Sequence, residues 1–249
     1  NAMAVSSNIA LARIVTDGYK GSAKKFVQKL QRMGLTDSVD YVIPGAEQAK
    51  ILVPKDTVTI SRMAYGYSVE MSPLQTVMFY NAIANNGKMV APMLVKEIRS
   101  NGETIKTFET TVVKNSICGS QTLEDIKTCL HDVVWDNNLG TASVYKWKGH
   151  IAKYKAQSQL VPIAGKTGTA QVMENGRYYS NKHRMSFVGY FPEDAPQYSC
   201  ICVIHGPRNK GLYDAGMDCG SVVRHIAEKT MAYTNEYVLQ NGNLVFKNK

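Results

Sequence analysis

The chain has 249 residues, of which 44% are hydrophobic and 20% charged, a composition typical of a globular protein with one large domain or two small ones. No run approaches the roughly 18 uncharged apolar residues of a membrane helix, and the first residues do not form a signal peptide. The formal net charge of +9 comes from basic residues spread along the chain, which favours a solvated surface over a nucleic-acid-binding site.

Helical spacing of apolar residues dominates the first third of the chain. It predicts a buried helix over residues 8–15, behind serines that can cap its start. A second helix is predicted over residues 23–33 and ends at Gly34. A third is predicted over residues 73–85, with a proline at its start and a glycine just beyond its end.

Strand patterns follow. Residues 89–98 and 104–108 flank an Asn101-Gly102 pair, which is typical of a tight β-hairpin. An amphipathic helix is predicted over residues 122–134. These elements place a small β-ribbon between helical segments.

Three more strands are predicted near the C-terminal end, at residues 163–173, 185–191 and 199–205. Short connections, the first of them at Asn175-Gly176, favour an antiparallel meander. Residues 211–220 are expected to form a loop before a covering helix over residues 221–233. Helices followed by consecutive strands and a final helix indicate an α+β fold.

The five cysteines are an odd number without C-x-x-C or zinc-ligand spacing, and the five histidines show no metal-ligand spacing. We therefore predict neither a disulfide framework nor a metal site. Cys200 and Cys202 alternate within a strand pattern, so both are expected on one face of the sheet. Whether Cys118 and Cys129 pair stays open.

A Lys-Thr-Gly triplet lies within the first of the three strands, in Ala164-Gly165-Lys166-Thr167-Gly168-Thr169-Ala170-Gln171. It is not a phosphate-binding P-loop, because that motif requires glycine where this chain has Leu160, and the segment continues as a strand. A lysine here supplies positive charge, the threonine hydroxyls can bind a carboxylate, and the glycine permits close approach of a ligand backbone.

A second triplet, Ser6-Ser7-Asn8, stands at the start of the first predicted helix. A serine hydroxyl can relay a proton, and an asparagine amide can orient a substrate amide. The same residues are also common helix N-caps, so this triplet carries weight only together with other motifs.

Four segments resemble, in order, the landmarks of class B penicillin-binding proteins, which are peptidoglycan D,D-transpeptidases. They are Val5-Ser6-Ser7-Asn8-Ile9-Ala10, Tyr65-Gly66-Tyr67-Ser68-Val69-Glu70-Met71-Ser72-Pro73-Leu74-Gln75 with Ala84-Asn85-Asn86-Gly87, Gly140-Thr141-Ala142, and the Lys-Thr-Gly segment. The resemblance implies the fold of penicillin-binding proteins and serine β-lactamases, in which a central antiparallel sheet packs against helices.

The resemblance also implies catalytic roles. Ser6 is expected to relay a proton, Asn8 to orient the substrate, and Lys166 to act as the electrostatic partner. The family uses neither a metal nor a cofactor.

The same resemblance implies the substrate-binding residues Thr167, Gly168 and Thr169. The two threonine hydroxyls are expected to bind the substrate carboxylate, and the backbone N–H of Thr169 to donate into an oxyanion hole.

The family's nucleophilic Ser-x-x-Lys precedes Ser-x-N, and only five residues precede Ser6 here. Two matches, beginning at Ser22 and Ser143, occur in the wrong order and are interpreted as chance. We expect residues 1–249 to form one truncated transpeptidase domain, the C-terminal part of the complete one. Its nucleophile is expected upstream of residue 1, and this chain is expected to be inactive.

The resemblance implies an enzyme that cross-links stem peptides ending in D-alanyl-D-alanine through an acyl-enzyme, and that binds β-lactams. A β-lactam sensor module, a D,D-carboxypeptidase and a β-lactamase of the same fold remain alternatives. The expected location is the outer face of the cytoplasmic membrane, through an anchor outside this chain. Cell-division or elongation membrane proteins are the expected partners, and nucleic acid is not.

Overall fold

The computed structural model describes residues 1–20, 22–36, 48–51, 57–144, 161–174, 177–206, 214–234, 237–240 and 243–246. They belong to two compact units. One unit is the continuous segment Asn8–Leu123, and the other joins Asn1–Ser7 to Glu124–Lys249. The predicted turn at Asn175-Gly176 lies outside the described residues. No helix in the described part of the chain combines the length and apolar character that crossing a bilayer requires.

The continuous unit begins with three helices, α1 (Asn8–Gly18), α2 (Ala23–Arg32) and α3 (Thr57–Met63). Their small apolar core is built from Phe26, Val27, Ile60 and Met63. The predicted end of α2 is confirmed, because Gly34 adopts a positive φ of 86° that favours glycine. A two-stranded ribbon of β1 (Lys50–Ile51) and β2 (Val69–Glu70) completes this part.

The first helix forms as predicted, but the prediction that it is buried is wrong. No residue of α1 is buried, and Ile9 and Ile14 are 83% and 62% exposed. Helical spacing shows that a helix has an apolar side but cannot show what covers it. In the described part of this unit α1 packs mainly on α3, which covers only part of its surface.

The helix α4 (Pro73–Ala84) confirms the third predicted helix. Its start is fixed by a capping box, in which the Ser72 hydroxyl accepts from the Gln75 N–H at 3.1 Å and the Gln75 side chain accepts from the Ser72 N–H at 3.0 Å. Gly87 lies beyond its end with a φ of 85°.

The Asn101-Gly102 hairpin is confirmed between β4 (Glu97–Ser100) and β5 (Glu103–Thr107), with positive φ at both turn residues. The continuous strand predicted over residues 89–98 is wrong. Its first part forms a separate strand, β3 (Met89–Val90), which pairs with β6 (Val112–Lys114) instead of continuing into the hairpin.

The discontinuous unit is built on a three-stranded antiparallel sheet of β7 (Ala164–Glu174), β8 (Arg177–Phe191) and β9 (Tyr198–His205), in that order. The predicted meander is therefore confirmed, although β8 begins eight residues earlier than the predicted residue 185. The helix α5 (Ser120–Trp135) extends the predicted helix by a few residues at its start.

The last helix, α6 (Ala215–Tyr233), covers the sheet and begins within the predicted loop. Asp214 caps it by accepting from the N–H groups of Gly216 at 2.9 Å and Met217 at 3.1 Å. The loop prediction was wrong for residues 215–220, because these residues form the first turns of α6 behind the Asp214 cap. A terminal hairpin of β10 (Tyr237–Gln240) and β11 (Asn243–Phe246) follows.

The core of this unit lies between the sheet and the helices. Its fully buried members include Val133 of α5, Phe187 of β8 and Val223 of α6. Cys200 and Cys202 pack against this core, as their alternation in β9 predicted. All five cysteines are free thiols, including Cys118 and Cys129.

Candidate active site

Lys166 lies on β7, an edge strand of the three-stranded sheet, opposite Val188 of β8. The two strands approach closely beside it, where Gly165 faces Gly189. A Cβ atom at Gly165 would lie 2.5 Å from the Val188 carbonyl oxygen and 2.7 Å from the Phe187 ring. Glycine is therefore required for this pairing, which fixes the position of Lys166.

The Lys166 ammonium donates to three neutral oxygens. Its Nζ lies 2.9 Å from Ser6 Oγ, 3.1 Å from Thr167 Oγ1 and 3.1 Å from the Thr167 carbonyl oxygen. These contacts use all three donors of the ammonium group. Two of the three predicted catalytic residues, Ser6 and Lys166, are thus brought together although 160 positions separate them.

Burial sets the electrostatics of this lysine. Burial lowers the pKa of Lys166 from its ordinary 10.5 to about 8. The lowered pKa makes it easier for Lys166 to give up a proton near neutral pH. A lysine titrating near working pH suits proton transfer as well as charge stabilisation.

Ser6 is held in an unusual backbone conformation. Its φ is +53°, in the left-handed region that non-glycine residues rarely adopt. The turn around it is closed by hydrogen bonds from the Ser6 N–H to the Met3 carbonyl at 3.1 Å and from the Ser7 N–H to the Ala2 carbonyl at 3.0 Å. Such strain is characteristic of functional positions, where surrounding structure aims one side chain.

Thr141 also contacts this cluster, although no role in the site was predicted for it. Its Oγ1 lies 2.8 Å from Thr167 Oγ1, and its N–H donates to the Ala4 carbonyl at 3.1 Å. Gly140-Thr141-Ala142 was noticed only as a landmark of the family. No local pattern could reveal these contacts, because they join distant parts of the chain.

The substrate-binding candidates occupy successive positions of β7. A Cβ atom at Gly168 would lie 2.6 Å from Ser186 Oγ, so a side chain at this position would require the Ser186 hydroxyl to rotate away. Thr169 is exposed at the next position. These placements agree with an accessible strand, and the binding roles of Thr167, Gly168 and Thr169 stay predictions.

Asn8, the third predicted catalytic residue, is exposed at the first position of α1. It belongs to the continuous unit, whereas Ser6, Lys166, Thr167 and Thr141 all belong to the discontinuous unit. Its role beside Lys166 stays a prediction.

Neither in-chain Ser-x-x-Lys match lies in this cluster. Ser143 is completely buried, and Ser22 is the N-cap residue of α2 in the continuous unit.

Comparison with known proteins assigns the family. Residues 1–231 match the family model of the penicillin binding protein transpeptidase domain. The chain belongs to this family. The resemblance drawn from the four sequence segments is therefore confirmed.

Individual members of the penicillin-binding protein family are distant in sequence. A peptidoglycan D,D-transpeptidase FtsI homolog of Mesostigma viride is 24% identical over 242 residues, covering 90% of this chain and 38% of the relative. The chain spans between 20% and 38% of the length of the curated relatives it matches.

Solved structures of penicillin-binding proteins share the fold. Penicillin-binding protein 2X of Streptococcus thermophilus superposes with a TM-score of 0.75 at 20% identity, covering 93% of this chain and 32% of that protein. Penicillin-binding protein 3 of Mycobacterium tuberculosis, solved in complex with aztreonam, gives a TM-score of 0.72 at 22% identity, covering all of this chain and 53% of that protein.

Proposed function

We propose that this chain forms part of a peptidoglycan D,D-transpeptidase that binds stem peptides ending in D-alanyl-D-alanine. The observation that carries the proposal is the 2.9 Å contact between Ser6 Oγ and Nζ of Lys166, a residue of the edge strand β7. A lysine with a lowered pKa next to a serine hydroxyl can move a proton, and the charge of the ammonium attracts a carboxylate.

The reaction follows the acyl-transfer chemistry of the family. A serine attacks the carbonyl between the two D-alanines, D-alanine leaves with a proton on its amine, and an amine of a second stem peptide then attacks the acyl-enzyme. The proton lost by the attacking serine hydroxyl is relayed through the Ser6 hydroxyl to the leaving amine, and the Lys166 ammonium next to Ser6 stabilises the negative charge that develops during this transfer. Asn8 orients the substrate amide.

The binding side of the site is β7. Thr167 and Thr169 donate hydroxyl hydrogens to the substrate carboxylate, and Gly168 leaves room for its backbone. The N–H of Thr169 donates to the oxyanion that forms during attack. An extended peptide lying along β7 would add hydrogen bonds to the strand edge.

The nucleophilic serine is proposed to lie outside residues 1–249. Ser143 is completely buried and cannot meet a substrate, and Ser22 is placed at a helix start in the other unit. By itself the chain therefore binds ligands without forming an acyl-enzyme. The complete protein is proposed to act at the outer face of the cytoplasmic membrane, with β-lactams as inhibitors.

The experiment separates binding from covalent capture. N-acetyl-D-alanyl-D-alanine is titrated into the isotope-labelled chain, and the NMR shifts of Lys166 and Thr169 are followed. We expect saturable binding that Lys166→Met weakens at least tenfold, while Lys25→Met, which removes an exposed lysine, leaves it unchanged. The same binding constant for both variants would contradict the proposal.

Intact-mass spectrometry after incubation with benzylpenicillin tests the nucleophile. The chain of 249 residues should keep its mass, whereas the genome-encoded protein should gain one penicilloyl group on a serine outside these residues. An adduct on Ser22 or Ser143 would show that the nucleophile was wrongly assigned.

A further inference from the structure

Thr141 connects two segments of the chain that carry the site. Its N–H donates to the carbonyl of Ala4, two residues before Ser6, at 3.1 Å. Its hydroxyl lies 2.8 Å from the hydroxyl of Thr167, which follows Lys166. One residue is therefore bound both to the turn that presents Ser6 and to the strand that presents Lys166.

The loop that carries Thr141 has little freedom to move. A Cβ atom at Gly140 would lie 2.6 Å from the Val133 carbonyl oxygen, and one at Gly216 would overlap the Thr141 carbonyl oxygen. The next residue, Ala142, is 1% exposed and donates its N–H to the Val133 carbonyl at 3.0 Å. Close backbone contacts with α5 and α6 thus fix the backbone from which the Thr141 side chain projects.

The hydrogen-bonding capacity of Thr167 determines what the neighbouring Thr141 hydroxyl can do. A hydroxyl group has one hydrogen to donate and two lone pairs that accept. Lys166 Nζ donates to Thr167 Oγ1 at 3.1 Å and occupies one lone pair. The Thr141 hydroxyl can either accept the Thr167 hydrogen or donate to the second lone pair.

An incoming carboxylate distinguishes these two arrangements. Because a carboxylate only accepts hydrogen bonds, it needs the Thr167 hydrogen, and Thr167 must then release Thr141. Thr141 keeps its contact by rotating its own hydrogen toward Thr167. Thr167 then accepts from Lys166 and Thr141 and directs its single hydrogen at the ligand.

We propose that Thr141 is a positioning residue that aligns the Thr167 hydroxyl for an anionic carboxylate group of the ligand. The proposal rests on the function proposed above and adds the residue that orients its carboxylate-binding hydroxyl. In the ligand-free protein the hydrogen bonds run from Lys166 to Thr167 and on to Thr141. Ligand binding reverses the second of these bonds without moving the loop.

Two substitutions isolate the hydroxyl. Thr141→Val keeps the shape and the backbone N–H but removes the hydroxyl, and Thr141→Ser restores it. The probes are N-acetyl-D-alanyl-D-alanine and its C-terminal carboxamide, which lacks the negative charge. Binding constants are measured by NMR titration.

We expect Thr141→Val to weaken binding of the acid about three- to tenfold, the effect of one hydrogen bond, and to leave binding of the carboxamide unchanged. Thr141→Ser should bind both probes like the unsubstituted protein. Unchanged affinity of the valine variant for the acid would overturn the proposal. Equal weakening for both probes would also overturn it, because that result indicates a structural role.

A second measurement keeps this test independent of the proposed function. The pKa of Lys166 is read from the pH dependence of its ¹³Cε shift. Removing the far end of the hydrogen-bond chain makes Thr167 a poorer acceptor, so Thr141→Val should lower this pKa and Thr141→Ser should not. If the unsubstituted protein binds neither probe, the proposed function is contradicted. The role of Thr141 is then decided by the pKa measurement, and an unchanged pKa of Lys166 in the valine variant would overturn it.

Discussion

Replacing Lys166 by methionine should stabilise the discontinuous unit at neutral pH while it removes ligand binding. Methionine keeps the length and apolar body of the lysine side chain but has no charge to desolvate. Burial lowers the pKa of Lys166 from 10.5 to about 8. At about 1.4 kcal/mol per pH unit, this displacement corresponds to an upper bound of about 3.5 kcal/mol. Because the side chain is only partly buried, water screens part of this effect, and we expect a gain of about 1–2 kcal/mol.

The pH dependence of this gain follows from where the proton is held. Below pH 8 both folded and unfolded chains carry the charged lysine, so folding bears the full desolvation cost. Between about 8 and 10.5 the folded chain has lost the proton and the unfolded chain has not, so the free energy of unfolding of the unsubstituted protein rises with pH. Above 10.5 both states are neutral, and the advantage of the methionine variant disappears.

Urea unfolding at a series of pH values measures this difference. The fluorescence of Trp135 reports on the right unit, because its Nε1 donates to the carbonyl of Ile163, directly before β7, at 3.0 Å. A Trp147→Phe background removes the second tryptophan of the chain. Lys25→Met serves as the exposed control. A methionine variant at position 166 that is less stable at pH 7, or whose advantage persists above pH 10.5, would refute the reasoning.

Three further substitutions test the strand pairing, the helix cap and a buried carboxyl group of the discontinuous unit. Gly165→Ala should lower the free energy of unfolding by about 1–3 kcal/mol in urea, because its Cβ atom collides with β8. Gly18→Ala, at the end of α1, should not lower it, because its Cβ meets nothing within 4 Å; equal effects would contradict the close pairing. Asp214→Ala should lower the free energy of unfolding by about 1–2 kcal/mol, because it removes the N-cap of α6, and Asp214→Asn should lower it much less. The same melting temperature for both variants would contradict the role of the cap. Burial raises the pKa of Glu193, so the folded chain holds this proton more tightly than the unfolded chain, and the free energy of unfolding falls as pH rises above the ordinary value of 4.5. Glu193→Gln should remove this fall in unfolding experiments between pH 4 and 6, and the same pH dependence in the variant would show that another group causes it.

The sheet and its lysine could be predicted from the sequence because their determinants are local. Alternating apolar residues set the strands, and Asn101-Gly102 marked a hairpin whose turn residues both adopt positive φ. The Lys-Thr-Gly triplet identified the strand that carries Lys166. Its contact with Ser6 followed from the family resemblance and not from any periodicity.

Features that depend on tertiary contacts were missed. Residues 211–220 were expected to form a loop, yet Gly216 lies inside α6, where the Thr141 carbonyl leaves no space for a side chain. The hydroxyl contact between Thr141 and Thr167 joins residues 26 positions apart and has no local signature. The apolar face of α1 was recognised, but its exposure depends on neighbours that periodicity does not specify.

The edge position of β7 has a consequence for the behaviour of the protein in solution. Residues 167–171 carry no charged side chain, and Thr169, Ala170 and Gln171 are exposed along the edge of the described sheet. A strand edge without charged or proline residues presents backbone N–H and C=O groups to which another extended chain can pair, including a second molecule of the same protein. The line along which a peptide ligand would lie is therefore also where aggregation should begin. A saturating extended ligand should then raise the concentration at which the chain remains monomeric.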